Sequence, residues 1–294
     1  MTSGTTAPDL RRKHTWRSRK STLMTGLMIG AVVVLAIPLI AVLYSVISRG
    51  AGSALSGFPD FFTKEIPAIS RREGPGMGPA ILGTLLVTGA ATLIAVPLGV
   101  LGAVYLHEYG ANSKFARGVR FMAMVMTGVP SIVMGLFVYV MWTMRFGYSA
   151  FGGALGLACL MLPVVIGSTE QMLRLVPTQL REAAYALGAS KSRTILTVVL
   201  PAALPGIVSG ALLAVARAAG ETAPLLFAVG AAKAFNPHLF TEANTALSLQ
   251  IFNSDLAFPA AEGRAWGAAL TLVALTFLMT ITARVFTARL VLKR

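Results

Sequence analysis

Two opposite charges lie within a strongly apolar stretch, residues 214–230 (AVARAAGETAPLLFAVG). Arg217 and Glu221 are four residues apart, which places them on one face if the stretch is helical. A charged side chain at the centre of a membrane helix costs about 2.5–3.5 kcal/mol on insertion scales, so such residues usually serve a function. An arginine attracts an anion, and a neighbouring carboxylate keeps that attraction weak enough for release. The pair is therefore a candidate anion path or gate.

The same pair allows two other interpretations. It can be a structural ion pair that holds its helix against a neighbour, or each charge can pair with a second subunit across an interface. Two hydroxyls are further candidates for the anion path, namely Ser131 in GVPSIVMG and Thr222 directly after Glu221. For both, the competing interpretation is that the hydroxyl bonds to its own helix or packs between helices, as is common in membranes.

The composition indicates an integral membrane protein. The chain has 294 residues, of which 55% are hydrophobic and only 12% are charged, and its mean hydropathy is +0.74. Soluble domains carry about 25% charged residues. The net charge of +14 comes from basic residues in short segments between apolar runs. That distribution indicates orientation in a membrane and argues against nucleic acid as a partner.

Six apolar segments are long enough to span a bilayer, which takes about 20 residues each. They lie near residues 24–47, 80–106, 117–142, 149–172, 202–229 and 264–287. Their length and uniform hydrophobicity predict helices and not barrel strands. If both termini are cytoplasmic, most of the 25 Lys and Arg residues fall on the inner side, as the positive-inside rule requires. The sequence thus predicts an all-α integral membrane protein with six transmembrane helices.

The chain is expected to divide into four parts. Residues 1–22 form a basic cytoplasmic tail, 23–79 the first transmembrane helix with a long outer loop, 80–287 a domain with the other five spans, and 288–294 a cytoplasmic C-terminal end. The outer loops, near 48–79 and 230–263, are rich in Gly, Pro, Asn and Asp and leave room for short surface helices.

The sequence offers no catalytic, metal or cofactor site. It has one cysteine, Cys159, and three widely separated histidines, so no metal ligands are grouped. There is no H-E-x-x-H motif, and the apolar runs hold no Ser–His or paired-Asp arrangement. The chain also has no G-x-x-x-x-G-K-[ST] motif, so transport driven by ATP would require a separate ATPase subunit.

The segment QLREAAYALGASKSRTILTVVLPAALPG, between the fourth and fifth apolar runs, has the features of a docking element. A helix is expected to begin near Thr178. Small alanines allow close approach of a partner, a charged pair offers electrostatic contacts, and a glycine permits a left-handed turn between two short helices. The residues expected to form this docking element are Arg181, Glu182, Ala183, Ala184 and Gly188.

This segment resembles the EAA loop of ABC importer permeases. From about residue 80 to 252 the chain is similar to the PstA-type permeases of bacterial phosphate-specific ABC importers. The matching stretches are GTLLVTGAATLIAVPLGVLGAVYLHEYG, GVPSIVMGLFVY, LREAAYALGASKSRTI and ARAAGETAPLLF. The last is the most specific, because many related permeases lack Arg-x-x-Gly-Glu-Thr in that span.

The resemblance implies a type I ABC importer permease, or MetI-like, fold with a five-helix core and a peripheral first helix. It implies translocation of inorganic phosphate across a bacterial inner membrane, with both termini cytoplasmic. The implied partners are a homologous PstC-type permease, two ATPase subunits, an extracytoplasmic phosphate-binding protein and membrane lipid. In the family, the EAA loop enters a groove on the ATPase and transmits the closure of the ATPase to the membrane helices. The resemblance therefore implies that residues 181–184 and Gly188 belong to an ATPase-coupling loop.

Three alternatives stay open at this point. The substrate can be another oxyanion, such as sulfate, molybdate or phosphonate. A self-contained secondary transporter is the second alternative, although it would give the EAA-like loop no role. A membrane anchor or an intramembrane enzyme is the third, and the chain shows no motif for it.

Overall fold

The computed structural model describes residues 16–69, 74, 76–110, 113–254 and 258–292. Most of the predicted basic tail, residues 1–15, and the last two residues of the predicted C-terminal end lie outside the described residues. The chain forms two units, one ending at Ile47 and one beginning at Ser48. Helix α1, Trp16–Ser56, supplies the described part of the first unit, so the end of the predicted tail is already helical.

The second unit contains ten further helices in its described part. They are α2, Asp60–Thr63; α3, Gly78–Tyr109; α4, Lys114–Gly128; α5, Ser131–Phe146; α6, Ala150–Leu175; α7, Thr178–Ala186; α8, Lys191–Ala219; α9, Ala223–Ala228; α10, Leu247–Asn253; and α11, Pro259–Leu292. Wide, π-helical turns occur in α3 at Tyr105–Tyr109, in α5 at Tyr139–Thr143 and in α8 at Ile195–Val199.

Five helices, α1, α3, α6, α8 and α11, are long and apolar enough to cross a membrane. The pair α4 and α5 meets the same criterion together but bends by 108° between them, and counting the pair as one span gives the predicted six. Pro130 explains the bend, since it has no N–H to donate and forces Val129 into an extended conformation (φ −72°, ψ 127°). The expectation of one continuous span over 117–142 was therefore wrong.

The fifth span also differs from its expected course over 202–229. Helix α8 already begins at Lys191 and stops at Ala219, and the chain restarts as α9 at Ala223. The ring of Pro224 would clash with the carbonyl of Gly220 in a continuous helix, and Gly220 itself favours a helix end. Arg217 consequently lies in the last turn of α8, whereas Glu221 lies beyond it. The two residues do not share the face of one helix.

Small side chains pack the central helices of the second unit. Ala91 and Ala95 of α3 and Ala154 and Ala158 of α6 are buried in one cluster, to which α8, α9 and α10 also contribute. Lipid is as apolar as these side chains, so membrane helices associate through the close contact that small residues permit. This packing fixes α3, α6 and α8 as the frame that positions the site.

A buried polar network shapes the segment between α9 and α10. Asn236 Nδ2 donates to the carbonyls of Thr241 and Ala243, and Asn244 Nδ2 donates to the carbonyl of Asn236. The network leads into α10, whose first N–H, from Leu247, donates to a hydroxyl of α3. Between α9 and the end of the described stretch at residue 254, the predicted long loop therefore contains the short helix α10, which is anchored to the core.

Candidate functional site

Arg217, Glu221 and Ser131 line one cavity of about 230 Å³. The cavity lies where two membrane helices are interrupted, at the α4–α5 bend and at the α8–α9 break. Helix α6 completes its wall with Leu160, Met161 and Val164. The structure thus brings together three of the four residues predicted for the anion path. The fourth, Thr222, precedes α9 and is not part of the cavity lining.

Arg217 and Glu221 form a loose ion pair. Arg217 Nε lies 3.6 Å from Glu221 Oε1, which is longer than a hydrogen bond. The Arg217 side chain is 73% exposed and that of Glu221 is 22% exposed. Exposed pairs of this kind contribute about 0–1 kcal/mol to stability. This geometry therefore fits a guanidinium that attracts an anion. It fits less well an ion pair that holds two helices together.

The interrupted helices add backbone dipoles to the cavity. Ser131 is the first residue of α5, and its N-terminus carries N–H groups without intrahelical acceptors and a partial positive charge. Irregular backbone at membrane depth is tolerated where it is buried or lines a cavity. Half-helix N-termini of this kind face anionic groups in other transporters. Arg217 and the N-terminus of α5 thus bring positive charge to the cavity, whereas Glu221 and the C-terminal ends of α4 and α8 bring negative charge.

Ser248 holds the break that carries Glu221. Its hydroxyl donates to the Glu221 carbonyl at 3.0 Å, and the neighbouring Leu247 N–H donates to Thr84 Oγ1 of α3 at 2.9 Å. Sequence reasoning missed Ser248 and Thr84, because each bond joins residues that no helical or strand spacing relates. The break is therefore held by side chains of α10 and α3.

The predicted ATPase-coupling loop consists of the short helix α7, a left-handed glycine and the first turn of α8, and these residues, 178–194, are called the coupling segment below. The second of the two short helices expected there is thus the beginning of the fifth span. Helix α7 begins at Thr178, as expected, and Gly188 has a φ of +79°. Glu182 and Ala183 are exposed, whereas Ala184 is buried against the rest of the chain. The exposed side of α7 is thus the part available to a partner.

Arg181 is directed into the chain. Its Nη1 donates to the Val176 carbonyl at 2.7 Å, and its Nη2 donates to the Leu173 carbonyl and to Glu108 Oε1, both at 3.0 Å. Only 15% of the Arg181 side chain and 8% of the Glu108 side chain are exposed. Arg181 therefore fastens α7 to α6 and α3, in contrast to Glu182.

Two apolar residues extend the exposed side of the coupling segment, and sequence reasoning missed both. Leu187 is 89% exposed and Tyr185 is 43% exposed. An exposed apolar side chain next to a left-handed turn indicates a contact surface, because a partner's groove would bury it. Leu187 and Tyr185 thus join Glu182 and Ala183 as candidate contacts.

Glu170, in the second half of α6, joins two helices. Its Oε1 accepts hydrogen bonds from Arg120 Nε of α4 and from Arg174 Nη2 of α6, both at 2.9 Å.

Within the described ranges, no three His, Cys, Asp or Glu residues are grouped so that they could hold a metal ion.

Known proteins resemble this chain in sequence. The family described as "Binding-protein-dependent transport system inner membrane component" matches residues 95–292. The phosphate transport system permease protein PstA 1 of Mycobacterium tuberculosis H37Rv is 44% identical over 272 residues, 90% of this chain and 87% of the relative. PstA of Haemophilus influenzae is 44% identical over 213 residues, 72% of this chain and 74% of the relative.

Solved structures share the fold. A permease chain of the inward-facing MetNI methionine ABC transporter has a TM-score of 0.56 at 21% identity, covering 70% of this chain and 90% of that chain. A chain of a bacterial alginate ABC transporter in complex with a periplasmic protein has a TM-score of 0.61 at 16% identity, covering 95% and 99%. These likenesses confirm the predicted MetI-like permease fold. With the family match and the sequence relatives, they lead to one assignment: the chain belongs to the binding-protein-dependent transport system inner membrane components, and within them to the PstA-type permeases.

Proposed function

We propose that this chain is a membrane subunit of an ATP-driven importer that moves inorganic phosphate across a bacterial inner membrane. One observation carries the proposal: Arg217 and the N-terminus of α5 face a single cavity at two helix breaks. The relatives that share most of the chain are phosphate transport permeases, which selects phosphate among the oxyanions.

Phosphate can pass only if the cavity attracts it without binding it too tightly to release it. Glu221, at 3.6 Å from Arg217, offsets part of the positive potential in the cavity. Ser131 adds a hydroxyl that can donate to a phosphate oxygen. A loose, exposed pair favours the anion path over the structural ion pair, which would need buried, well-aligned groups to hold two helices together.

The exposed side of α7 supports a separate ATPase as partner. Glu182, Ala183, Tyr185 and Leu187 present a small surface that combines one charge with apolar groups. In the proposed assembly, two ATPase subunits bind below this chain and a homologous PstC-type permease. A phosphate-binding protein delivers the anion from the outer side. Both termini and α7 are then cytoplasmic.

The proposal is tested by replacing Arg217 and measuring uptake of labelled phosphate. Arg217→Gln is expected to lower uptake at least about tenfold, because a neutral side chain removes the main attraction for a dianion. Arg217→Lys keeps the charge and is expected to retain part of the activity. Arg145→Gln, which removes an exposed cation at the far end of α5, is the matched control and should transport normally.

Co-purification of the ATPase shows whether each variant assembles. Normal phosphate uptake by an assembled Arg217→Gln complex would contradict a direct role for the cavity. Parallel uptake of labelled sulfate and molybdate separates the remaining oxyanions, since transport of either in place of phosphate would reassign the substrate.

A further inference from the structure

The end of α3 contacts the coupling segment on both sides of its left-handed turn. Before the turn, Glu108 Oε1 accepts a hydrogen bond from Arg181 Nη2 at 3.0 Å. After the turn, Lys191 Nζ lies 4.8 Å from the centre of the Tyr109 ring, within the range of a cation–π contact. Glu108 and Tyr109 are adjacent in sequence. One turn of α3 therefore holds the beginning of α7 and the beginning of α8.

A π-helical turn at Tyr105–Tyr109 makes this arrangement possible. The Gly110 N–H donates to the Tyr105 carbonyl, five residues back, at 2.7 Å. In an α-helix the same N–H would occupy the Leu106 carbonyl. Here the Leu106 carbonyl accepts Arg120 Nη2 of α4 at 2.6 Å instead. The wide turn thus connects α3 to α4 as well, which accords with the frequent occurrence of such turns at functional sites.

Helix α3 also reaches the helix break that carries Glu221. Toward its other end, Thr84 Oγ1 accepts the Leu247 N–H of α10, and Ser248 of α10 donates to the Glu221 carbonyl. Both bonds lie in largely buried surroundings. Helix α3 is therefore bound to the coupling segment at one end and, through α10, to the break beside Arg217 at the other.

We infer that the Glu108–Arg181 ion pair makes α3 the element that carries movement of α7 to the Arg217–Glu221 break. The pair is a positioning device and touches no substrate. Both side chains are nearly buried, so removing one of them leaves the other charge buried without its partner. The chain must then hydrate that charge or move it. Helix α7 would then shift without displacing α3. The inference rests on the proposed function, since it assigns the coupling route of that same importer.

The test is a double-mutant cycle on the whole complex, reconstituted in vesicles. Phosphate moved per ATP hydrolysed is measured for the unmodified complex, Glu108→Ala, Arg181→Ala and the double variant. Each single variant is expected to keep the ATPase bound and hydrolysing while the ratio falls about tenfold. The double variant should lose no more than either single one, because both remove the same contact. A purely structural role would lower the yield of complex and leave the ratio unchanged.

Asp60→Asn is the matched control, because it removes a carboxylate from an exposed pair with Lys64. If the alanine variants fail to assemble, Glu108→Gln and Arg181→Gln, which remove the charge but keep a long polar side chain, take their place in the cycle. An unchanged ratio in an assembled Glu108 variant would overturn the inference. Additive losses in the double variant would do the same.

A second readout is independent of the substrate. In a Cys159→Ser background, Thr127→Cys places a thiol on the cavity wall, and its rate of maleimide labelling is measured with and without ATP. ATP should change the rate in the otherwise unmodified complex, and Glu108→Ala should abolish the change. An ATP response retained in Glu108→Ala would overturn the inference. If the unmodified complex moves no phosphate, the proposed function fails, whereas this readout still decides the coupling route.

Discussion

Gly188 has a backbone conformation that other residues adopt only with strain. Its φ is +79°, and a Cβ added to it would meet no atom within 4 Å. A substitution there acts through the backbone alone, at a cost of roughly 1–2 kcal/mol. The chain can avoid that cost by changing the angle between α7 and the start of α8, which would move the exposed side of α7.

Gly188→Ala is therefore expected to weaken binding of the ATPase severalfold while leaving the permease folded. The measurement is the amount of ATPase retained on the purified permease across a salt series. Gly147→Ala is the control for backbone strain, because Gly147 has a φ of +81° and a ψ of 179°, which other residues avoid, also has open space around its Cβ position, and lies in the α5–α6 turn. Equal effects of the two substitutions would show that general destabilisation, and not the angle of α7, is responsible.

At the scale of elements, the sequence predicts where helices exist better than where they break. Long apolar runs identify every span, because a membrane leaves the backbone no alternative to helix. The breaks at Val129 and Gly220 escape the same reasoning, since the apolar run continues beyond each break. The local signals are Pro130, Pro224 and Gly220, and other prolines such as Pro97 and Pro163 lie inside continuous helices.

Part of the candidate site was predictable from the sequence. Arg217 stands out because a charge in an apolar run is costly, and Ser131 because its hydroxyl could donate to an anion. The partners that hold the site did not stand out. Glu108 and Arg181 are 73 residues apart, and Glu221 and Ser248 are 27 apart. Only packing of the helices brings such residues together.

The contact between α3 and the segment before α10 gives a prediction for stability. A Cβ added to Gly83 of α3 would overlap the carbonyl oxygen of Thr245 and lie 2.5 Å from Asn244 Oδ1. Because one of these is a backbone atom within the buried network, relief requires the segment to move. Gly83→Ala is expected to destabilise the permease by about 1–3 kcal/mol, measured as a lower midpoint of thermal unfolding in detergent.

Gly89→Ala is the control for that substitution. It lies on the same helix and its added Cβ meets nothing within 4 Å, so the better helix propensity of alanine should leave stability unchanged or slightly higher. A Gly83→Ala permease as stable as the Gly89→Ala permease would contradict this prediction. It would show that the segment before α10 can move away from the added methyl group without loss of stability.

At the scale of the whole molecule, charge predicts the orientation in the membrane. The formal net charge is +14, and the coupling segment alone carries Arg181, Lys191 and Arg193. Positive charge accumulates on the cytoplasmic side of membrane proteins. Helix α7 must be cytoplasmic for an ATPase to reach it, so the charge pattern and the proposed function require the same orientation. The segment between α9 and α10 must then face outward.

Labelling of single cysteines tests this orientation. Cys159 is the chain's one cysteine, so a Cys159→Ser parent provides the background. Ser192→Cys marks the segment after α7, and Thr241→Cys marks the segment before α10, both at exposed positions. In sealed right-side-out vesicles, a membrane-impermeant maleimide should label Thr241→Cys at once and Ser192→Cys only after permeabilisation. The reverse pattern would invert the topology, place α7 outside the cell and remove the basis for its coupling to an ATPase.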